Sequence, residues 1–281
     1  MTLSIITSNR NNAAGLEKTM RSVASQVGGD FEYVVIDGAS TDGSVEVIRS
    51  FESSLGDCLK WISEPDKGIY NAMNKGIGKA SGEYLQFLNS GDSLVSDDIT
   101  LRMTEALKSK EYPPILYGNM LKDMSDGKIL RDKGFAGKSI SFLGFYTGSL
   151  NHPSSYIKKS LFEKYGGYDE SLKIVSDWKW FLQAIILGGE KPVYVDMDVT
   201  LFDMNGISEK NKALEKAERR RVLSELIPST ILADYDRWAL SINRMRRLER
   251  HPWANKIVNF LERGLFKMEK RRNRKRCEYG F

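Results

Sequence analysis

The sequence has little of what staples or metallates a small fold. Its two cysteines, Cys58 and Cys277, stand at no metal-ligand spacing, so neither a disulfide framework nor a zinc site is indicated and a reducing cytosol fits. No apolar run reaches the ~18 residues that a membrane span needs. The opening Met1-Thr2-Leu3-Ser4-Ile5-Ile6 runs straight into a strand-like segment, without the basic and apolar regions of a signal peptide. A cytoplasmic protein, soluble or attached to a surface, is expected. Familiar phosphate loops are missing too. Gly76-Ile77-Gly78-Lys79-Ala80-Ser81-Gly82 is not G-x-G-x-x-G, and Gly137-Lys138-Ser139 has Asp132 where a P-loop needs glycine. No internal repeat is evident.

What is present bounds the architecture. With 281 residues and 41% apolar side chains, the chain can bury one α/β core and a smaller appended piece. The net charge of +5 hides an asymmetry: from residue 209 onward there are 20 Lys/Arg against 10 Asp/Glu, a local balance of +10, which leaves −5 on the part before it. A mildly acidic globular part (1–208) therefore carries a basic, helical extension (209–281) with almost no glycine, interrupted near Pro228 and Pro252.

Short β-branched runs at 3–7, 33–37, 59–63 and 84–89 alternate with helical patterns at 16–26, 44–51 and 69–79. That rhythm predicts βαβ units on a mostly parallel, Rossmann-like sheet flanked by helices, with ligands bound outside the carboxyl ends of the strands. A helix is expected at 98–108. Residues 118–151 read as an irregular, substrate-facing loop or hairpin region. A helix follows at 177–187, and two short late strands at 193–196 and 199–202.

Four constellations sit where chemistry is expected. Val35-Ile36-Asp37-Gly38-Ala39-Ser40-Thr41-Asp42-Gly43 delivers Asp37 at a strand tip, where it either accepts hydrogen bonds from a base or ribose or forms an Asx-turn; Asp42 reads as a cap. Phe87-Leu88-Asn89-Ser90-Gly91-Asp92 ends a buried strand in a carboxylate suited to Mg²⁺ or Mn²⁺, although a lone Asp there is more often a turn residue. In Ser63-Glu64-Pro65-Asp66-Lys67-Gly68-Ile69-Tyr70-Asn71-Ala72-Met73-Asn74-Lys75-Gly76, Asp66 and Lys67 precede a helix carrying Asn71 and Asn74 on one face. That face can read a sugar or diphosphate, or simply be polar and exposed. Ser176-Asp177-Trp178-Lys179-Trp180 places an acid on a helix beside Trp180, which suits a general base with a stacking platform, or else a surface salt bridge.

Taken in order with the strand-terminal Thr7-Ser8-Asn9, these motifs resemble the family 2 glycosyltransferases of the GT-A fold, particularly bacterial members that build surface polysaccharides, over residues 1–208. The resemblance implies an inverting transfer from a nucleotide-diphosphate sugar, UDP-sugar favoured, to a glycan or lipid-linked glycan, with Mn²⁺ or Mg²⁺. It assigns Asp177 as catalytic base, Asp92 as metal ligand and Asp37 as a nucleoside contact, with Glu64 and Asp66 over the uridine or donor region. Thr7, Asn9, Lys67, Asn71, Asn74 and Asn89 complete the expected donor site, and His152, in Asn151-His152-Pro153, stands near donor or acceptor. The segment Asn205-Gly206-Ile207-Ser208 resembles one that closes on the diphosphate. Three positions depart from the commonest pattern: Gly38 where a second Asp often follows the first, Asn-Ser-Gly-Asp in place of D-x-D, and Ser176 in place of an acid before Asp177.

Trp253, Ile257, Phe260, Leu261, Leu265 and Met268 recur near helical spacing with Lys256, Arg263 and Lys267 between them, ahead of the run 270–276. That pattern fits an interfacial helix drawn to an anionic membrane surface, or a helix packed on the catalytic domain or on a second subunit. No nucleic-acid motif accompanies it. The competing readings are a sugar-nucleotide pyrophosphorylase, which would normally show a Gly-rich loop near the first strand, and a noncatalytic protein binding membrane or nucleic acid through its basic tail.

Overall fold

Leu3–Asn9 (β1) and Phe31–Asp37 (β2) are buried along nearly their whole length on both faces, as strands at the centre of a parallel sheet must be. In the computed structural model, which describes residues 3–124, 127–136, 138–204, 206, 211–249 and 251–278, the two pair in parallel. Leu59–Ser63 (β3) flanks β2 and Tyr84–Phe87 (β4) flanks β1, both again parallel. The intervening helices are Ala13–Ala24 (α1), Ser44–Ser50 (α2), Glu52–Leu55 (α3) and Ile69–Lys79 (α4). All four strands therefore run the same way, and their carboxyl ends share one edge.

The sheet continues through Ser93–Leu94 (β5), Ile115–Asp123 (β6), Ile129–Asp132 (β7), Ser155–Lys158 (β8) and Val193–Phe202 (β9), in the order β3-β2-β1-β4-β8-β6-β9-β5, with β7 paired to β6. β8 is antiparallel to both neighbours, β5 and β7 are antiparallel to theirs, and β6 runs parallel to β9. The mostly parallel, helix-flanked sheet is the expected one. The region 118–151, expected to be an irregular loop or hairpin, supplies most of β6, its hairpin partner β7 and the short helix Phe142–Thr147 (α6).

The late strand is single. Its register against β6 slips between Tyr117↔Tyr194 and Asn119↔Asp198, a bulge that breaks the alternation and makes one strand read as two. The bulge presses its backbone onto Gly118, where an added Cβ would lie 2.6 Å from the Met197 carbonyl oxygen. Only glycine fits there.

One face of the sheet packs Leu3, Ile5, Tyr33, Val35 and Leu116 against Leu16, Met20 and Val23 of α1 and against Ile99, Met103 and Leu107 of Ile99–Ser109 (α5). The i, i+4, i+7 spacing on α1 is what turns that stripe inward. On the other face α4 lies so close to the sheet that a Cβ on Gly76 would come within 2.4 Å of the Ile6 side chain. Ser160–Tyr165 (α7) and Ser176–Phe181 (α8) add an aromatic layer there, in which Phe162 stacks on Trp180 and Phe87 on His152. α8 continues as a π-helical turn, Leu182–Leu187. Both faces of this helix are buried, Trp180 and Ala184 as well as Trp178, Phe181, Leu182 and Ile185.

The chain divides into two compact units, Met1–Leu226 and Ile227–Phe281. The helix Lys212–Leu226 (α9), counted with the basic extension on sequence grounds, lies in the first. The second consists of Ser229–Glu249 (α10) and Pro252–Glu278 (α11), starting beside the two prolines that mark the helix breaks. No helix among the described residues is long and apolar enough to cross a membrane.

Candidate active site at the carboxyl edge of the sheet

The shared edge of the parallel strands gathers the polar residues that the loops deliver. Asp37, at the tip of β2, is fully buried. Its Oδ1 accepts from Asn9 Nδ2 (2.8 Å) and Ser40 Oγ (2.6 Å), and its Oδ2 from Ser40 N (2.9 Å) and Ser63 Oγ (2.6 Å). Burial pushes this carboxyl up, but the bonds from Ser40, Ser63 and Asn9 outweigh it and hold it below the usual carboxylate range. Asp37 thus ties the ends of β1, β2 and β3 together. Among the described residues its four donors already fill the four lone-pair sites of a carboxylate.

Asp66 lies directly over Gly38. A Cβ on Gly38 would be 2.2 Å from Asp66 Oδ2, so the absence of a side chain at 38 is what lets the Asp66 carboxylate fold in. Its side chain is 4% exposed, accepts from Gly68 N at 2.9 Å, and has the Arg10 guanidinium 3.6 Å away. Glu64 points elsewhere, exposed and paired with Lys75 at 2.8 Å, whose ammonium holds its carboxyl below the usual range.

Asp92 follows β4, and its N–H donates to the Asn89 carbonyl at 2.9 Å. Its carboxylate is 3% exposed and accepts from Asp203 N at 2.9 Å. Burial raises it to about 7; the Asp203 N–H opposes that rise and the Asp203 charge adds to it. Gly91, in the left-handed region at φ +107°, leaves room for the Asp203 side chain, which a Cβ would meet at 2.8 Å. The nearby Asn89 Oδ1 is buried without a partner. An oxygen-only set of one or two carboxylates and an amide oxygen fits a hard divalent cation completed by phosphate and water. Among the described residues no cluster of three His, Cys, Asp or Glu forms a fuller cage.

Asp177 lies at the start of α8, partly exposed. Its Oδ1 is 3.0 Å from the Tyr70 hydroxyl. Tyr70 is on the first turn of α4, which follows β3, so Asp177 is brought to the same edge. Four of the buried side-chain oxygens that lack a partner, Ser8 Oγ, Asn9 Oδ1, Asn89 Oδ1 and Ser176 Oγ, belong to these strand ends and to the start of α8. Buried polar atoms are rarely left unsatisfied, and this concentration marks where water or a ligand is received.

Other residues expected at the site do other work. Trp180 is 1% exposed, donates to the Gly166 carbonyl and stacks on Phe162 at 4.5 Å, so the aromatic core, not a sugar, covers its face. Thr7 is buried between Tyr33 and the Leu88 carbonyl. Asn71 and Asn74 spend their amides on Glu170 and on the backbone of Tyr168, fastening α4 to the loop before α8. Asn71 also accepts from the N–H of Lys67, whose own side chain is exposed. His152 is not in an open loop. It is 6% exposed, stacked on Phe87 and bonded through Nε2 to the Tyr168 hydroxyl at 2.8 Å. Burial pushes it down against the pull of the Asp177 charge. Asn205, Ile207 and Ser208 of the expected closing segment lie outside the described residues. Arg10, Ser40, Tyr70 and Asp203 were not singled out from sequence. No spacing signal marks Tyr70 or Asp203, because each meets its partner only across the fold.

Residues 4–165 match the family described as Glycosyl transferase family 2. An uncharacterised glycosyltransferase of Mycobacterium tuberculosis is 34% identical over 209 residues, covering 73% of this chain and 76% of the relative. A PGL/p-HBAD biosynthesis glycosyltransferase of Mycobacterium bovis is 27% identical over 244 residues, 86% of this chain and 92% of its own. Among solved structures, residues 1–349 of TarS from S. aureus in complex with UDP-GlcNAc superpose with a TM-score of 0.60 at 20% identity, over 72% of this chain and 58% of that one. The mannosyltransferase PcManGT from Pyrobaculum calidifontis, in complex with GDP-Man and Mn²⁺, superposes at 0.61 and 16% identity, over 80% and 64%.

Proposed function

Because the chain belongs to glycosyl transferase family 2 and is a glycosyltransferase of the GT-A fold, we propose that it transfers a sugar, with inversion, from a UDP-sugar to a glycan or lipid-linked glycan in surface polysaccharide or glycolipid assembly. Family membership sets aside the pyrophosphorylase and noncatalytic readings. The observation that carries the proposal is Asp177: a partly exposed carboxylate at the sheet's ligand-binding edge, with one oxygen engaged by Tyr70 and the other without a protein partner among the described residues. Such a group can take the proton from an acceptor hydroxyl as that oxygen attacks the anomeric carbon. In one displacement the acceptor oxygen bonds to the anomeric carbon as the bond from that carbon to the diphosphate breaks, the centre inverts, and the acceptor's proton passes to Asp177.

The donor lies across the ends of β1 to β4. Asn9 Oδ1 and Asp66, with Arg10 beside it, face the nucleoside, while Asn89 and Asp92 face the diphosphate. Asp92, with Asp203 next to it, would hold Mn²⁺ or Mg²⁺, which when bound supplies positive charge to a departing diphosphate. Burial shifts Asp92 toward its neutral form, and a cation held there would oppose that shift. Asp37 keeps the three strand ends in register beneath the donor. The basic α11 would attach the enzyme peripherally to the cytoplasmic face of the membrane.

A thermal-shift panel tests this reading, because a ligand of the native state raises its melting temperature by mass action. UDP and UDP-sugars with Mn²⁺ should raise the melting temperature, and Asp92→Asn should lose the metal-dependent part of the shift. No shift with any of UDP-, dTDP- or GDP-linked ligands would sink the donor assignment.

A further inference from the structure

The turn that carries Asp177 has no local means of holding itself. Its helix begins after Val175, a capping position without a side-chain acceptor, and the three residues leading into it, 173–175, carry N–H groups that no regular element pairs. Glu218 of α9, 8% exposed, pairs them: it accepts from the N–H of Lys173 at 2.7 Å, Ile174 at 2.9 Å and Val175 at 3.3 Å. A carboxylate at a helix N-terminus is favoured by the dipole as well as by these charge-assisted bonds. From the other side, the Tyr70 hydroxyl lies 2.6 Å from the Ile174 carbonyl oxygen and 3.0 Å from Asp177 Oδ1. The single proton of this buried hydroxyl is shared between the main chain of the turn, at the shorter distance, and the carboxylate it carries.

Tyr70 is itself anchored. Its helix lies on Ile6 through Gly76, and two residues of that helix, Asn71 and Asn74, both donate to Glu170. Glu218 lies outside the residues that match the family.

We propose that Tyr70 and Glu218 are positioning residues for Asp177. Tyr70 engages Oδ1 and leaves Oδ2 to the acceptor hydroxyl, while Glu218 fixes the backbone from which Asp177 projects. The inference rests on Asp177 being the base. Neither residue touches substrate; both act by holding the carboxylate within the narrow geometry that proton transfer needs, where a displacement of ~1 Å costs about 100-fold in rate.

The test compares Tyr70→Phe, Glu218→Gln and Asp177→Asn with the parent in the full-length chain. The readouts are UDP release from UDP-N-acetylglucosamine with water as acceptor, donor KM, melting temperature, and amide hydrogen exchange at residues 173–177. Tyr70→Phe and Glu218→Gln should each lower kcat by about 10- to 100-fold with donor KM unchanged, and Glu218→Gln should speed exchange at Lys173, Ile174 and Val175. Where Glu218→Gln melts below the assay temperature, Tyr70→Phe, which keeps the ring and its packing, carries the test. Parental kcat in Tyr70→Phe, or parental exchange at all three amides in Glu218→Gln, overturns the positioning role. Parental turnover in Asp177→Asn removes the base reading itself; an inactive Asp177→Asn beside a fully active Tyr70→Phe removes only the inference drawn here.

Discussion

Asp37 and Asp92 both lie at the end of a buried parallel strand, yet their neighbours give them opposite chemistry. Four donors converge on Asp37 and hold it charged. Asp92 has one N–H on its carboxylate and a second acid beside it, and burial carries it up to about 7. The number of donors per oxygen, more than depth, separates an organising carboxylate from one that gains by receiving a cation. Glu32 is the counterpart at the opposite edge of the sheet. Burial alone would raise it, but bonds from Lys60, Ser4 and Ser81 lower it to about 2. A folded-state value below the unfolded one means stability that is present above pH 4.5 and lost as pH falls toward 2. Glu32→Gln should therefore be less stable than the parent at pH 7 in urea unfolding, and the gap should close between pH 4.5 and 2. A gap that stays constant with pH would contradict this account. Because Glu32 is remote from the strand ends that form the site, donor binding by the folded variant should be unchanged.

At the scale of the element, α4 is the piece on which most of the site depends. Gly76 seats it on Ile6, and Tyr70, Asn71 and Asn74 then reach the loop and helix that carry Asp177. Gly76→Ala adds a methyl where the buried Ile6 side chain already stands, so that side chain or the helix must shift. A loss of about 1–3 kcal/mol is expected by overpacking, despite alanine's better helix propensity of about 1 kcal/mol, and with it a lower kcat, because Tyr70 moves with the helix. Calorimetry and donor turnover on the same variant check both; equal or higher stability would show that the contact yields. Gly118 makes the same point in β6, where the bulge of β9 takes the place of a side chain. That bulge is why one strand reads as two in the sequence, since a single extra residue changes which face a side chain occupies and periodicity has no term for it. Trp180 is buried because Phe162 and the Gly166 backbone cover the second face of α8, which its own spacing does not show.

Across the whole molecule, charge is divided between an acidic globular part and a basic tail, and most large apolar side chains of the tail's last helix are open. On α11, Trp253, Ile257, Phe260, Leu261, Leu265 and Met268 are all more than half exposed and fall within an arc of about 140° at 100° per residue. Lys256, Arg263, Lys267 and Lys270 flank one side of that arc. The full-length chain should cosediment with vesicles containing phosphatidylglycerol, release as salt rises, and bind weakly to neutral phosphatidylcholine; Phe260→Ser with Trp253→Ser should reduce binding at least several-fold. Equal binding to both vesicle types would leave the charge without a role. The sequence by itself determined the βαβ order, the strand ends that carry Asn9, Asp37, Asn89 and Asp92, and the placement of Asp177 at a helix start, because these follow from hydrophobic period and from polar residues where apolar runs stop. Only the tertiary structure decided how those residues are used. It committed the amides of Asn71 and Asn74 to Glu170, turned Trp180 inward, set Asp66 over Gly38, and joined Asp203 to Asp92 and Tyr70 to Asp177 across 111 and 107 positions of chain. Contacts that distant depend on how layers pack and where a strand bulges, and neither is written in local spacing.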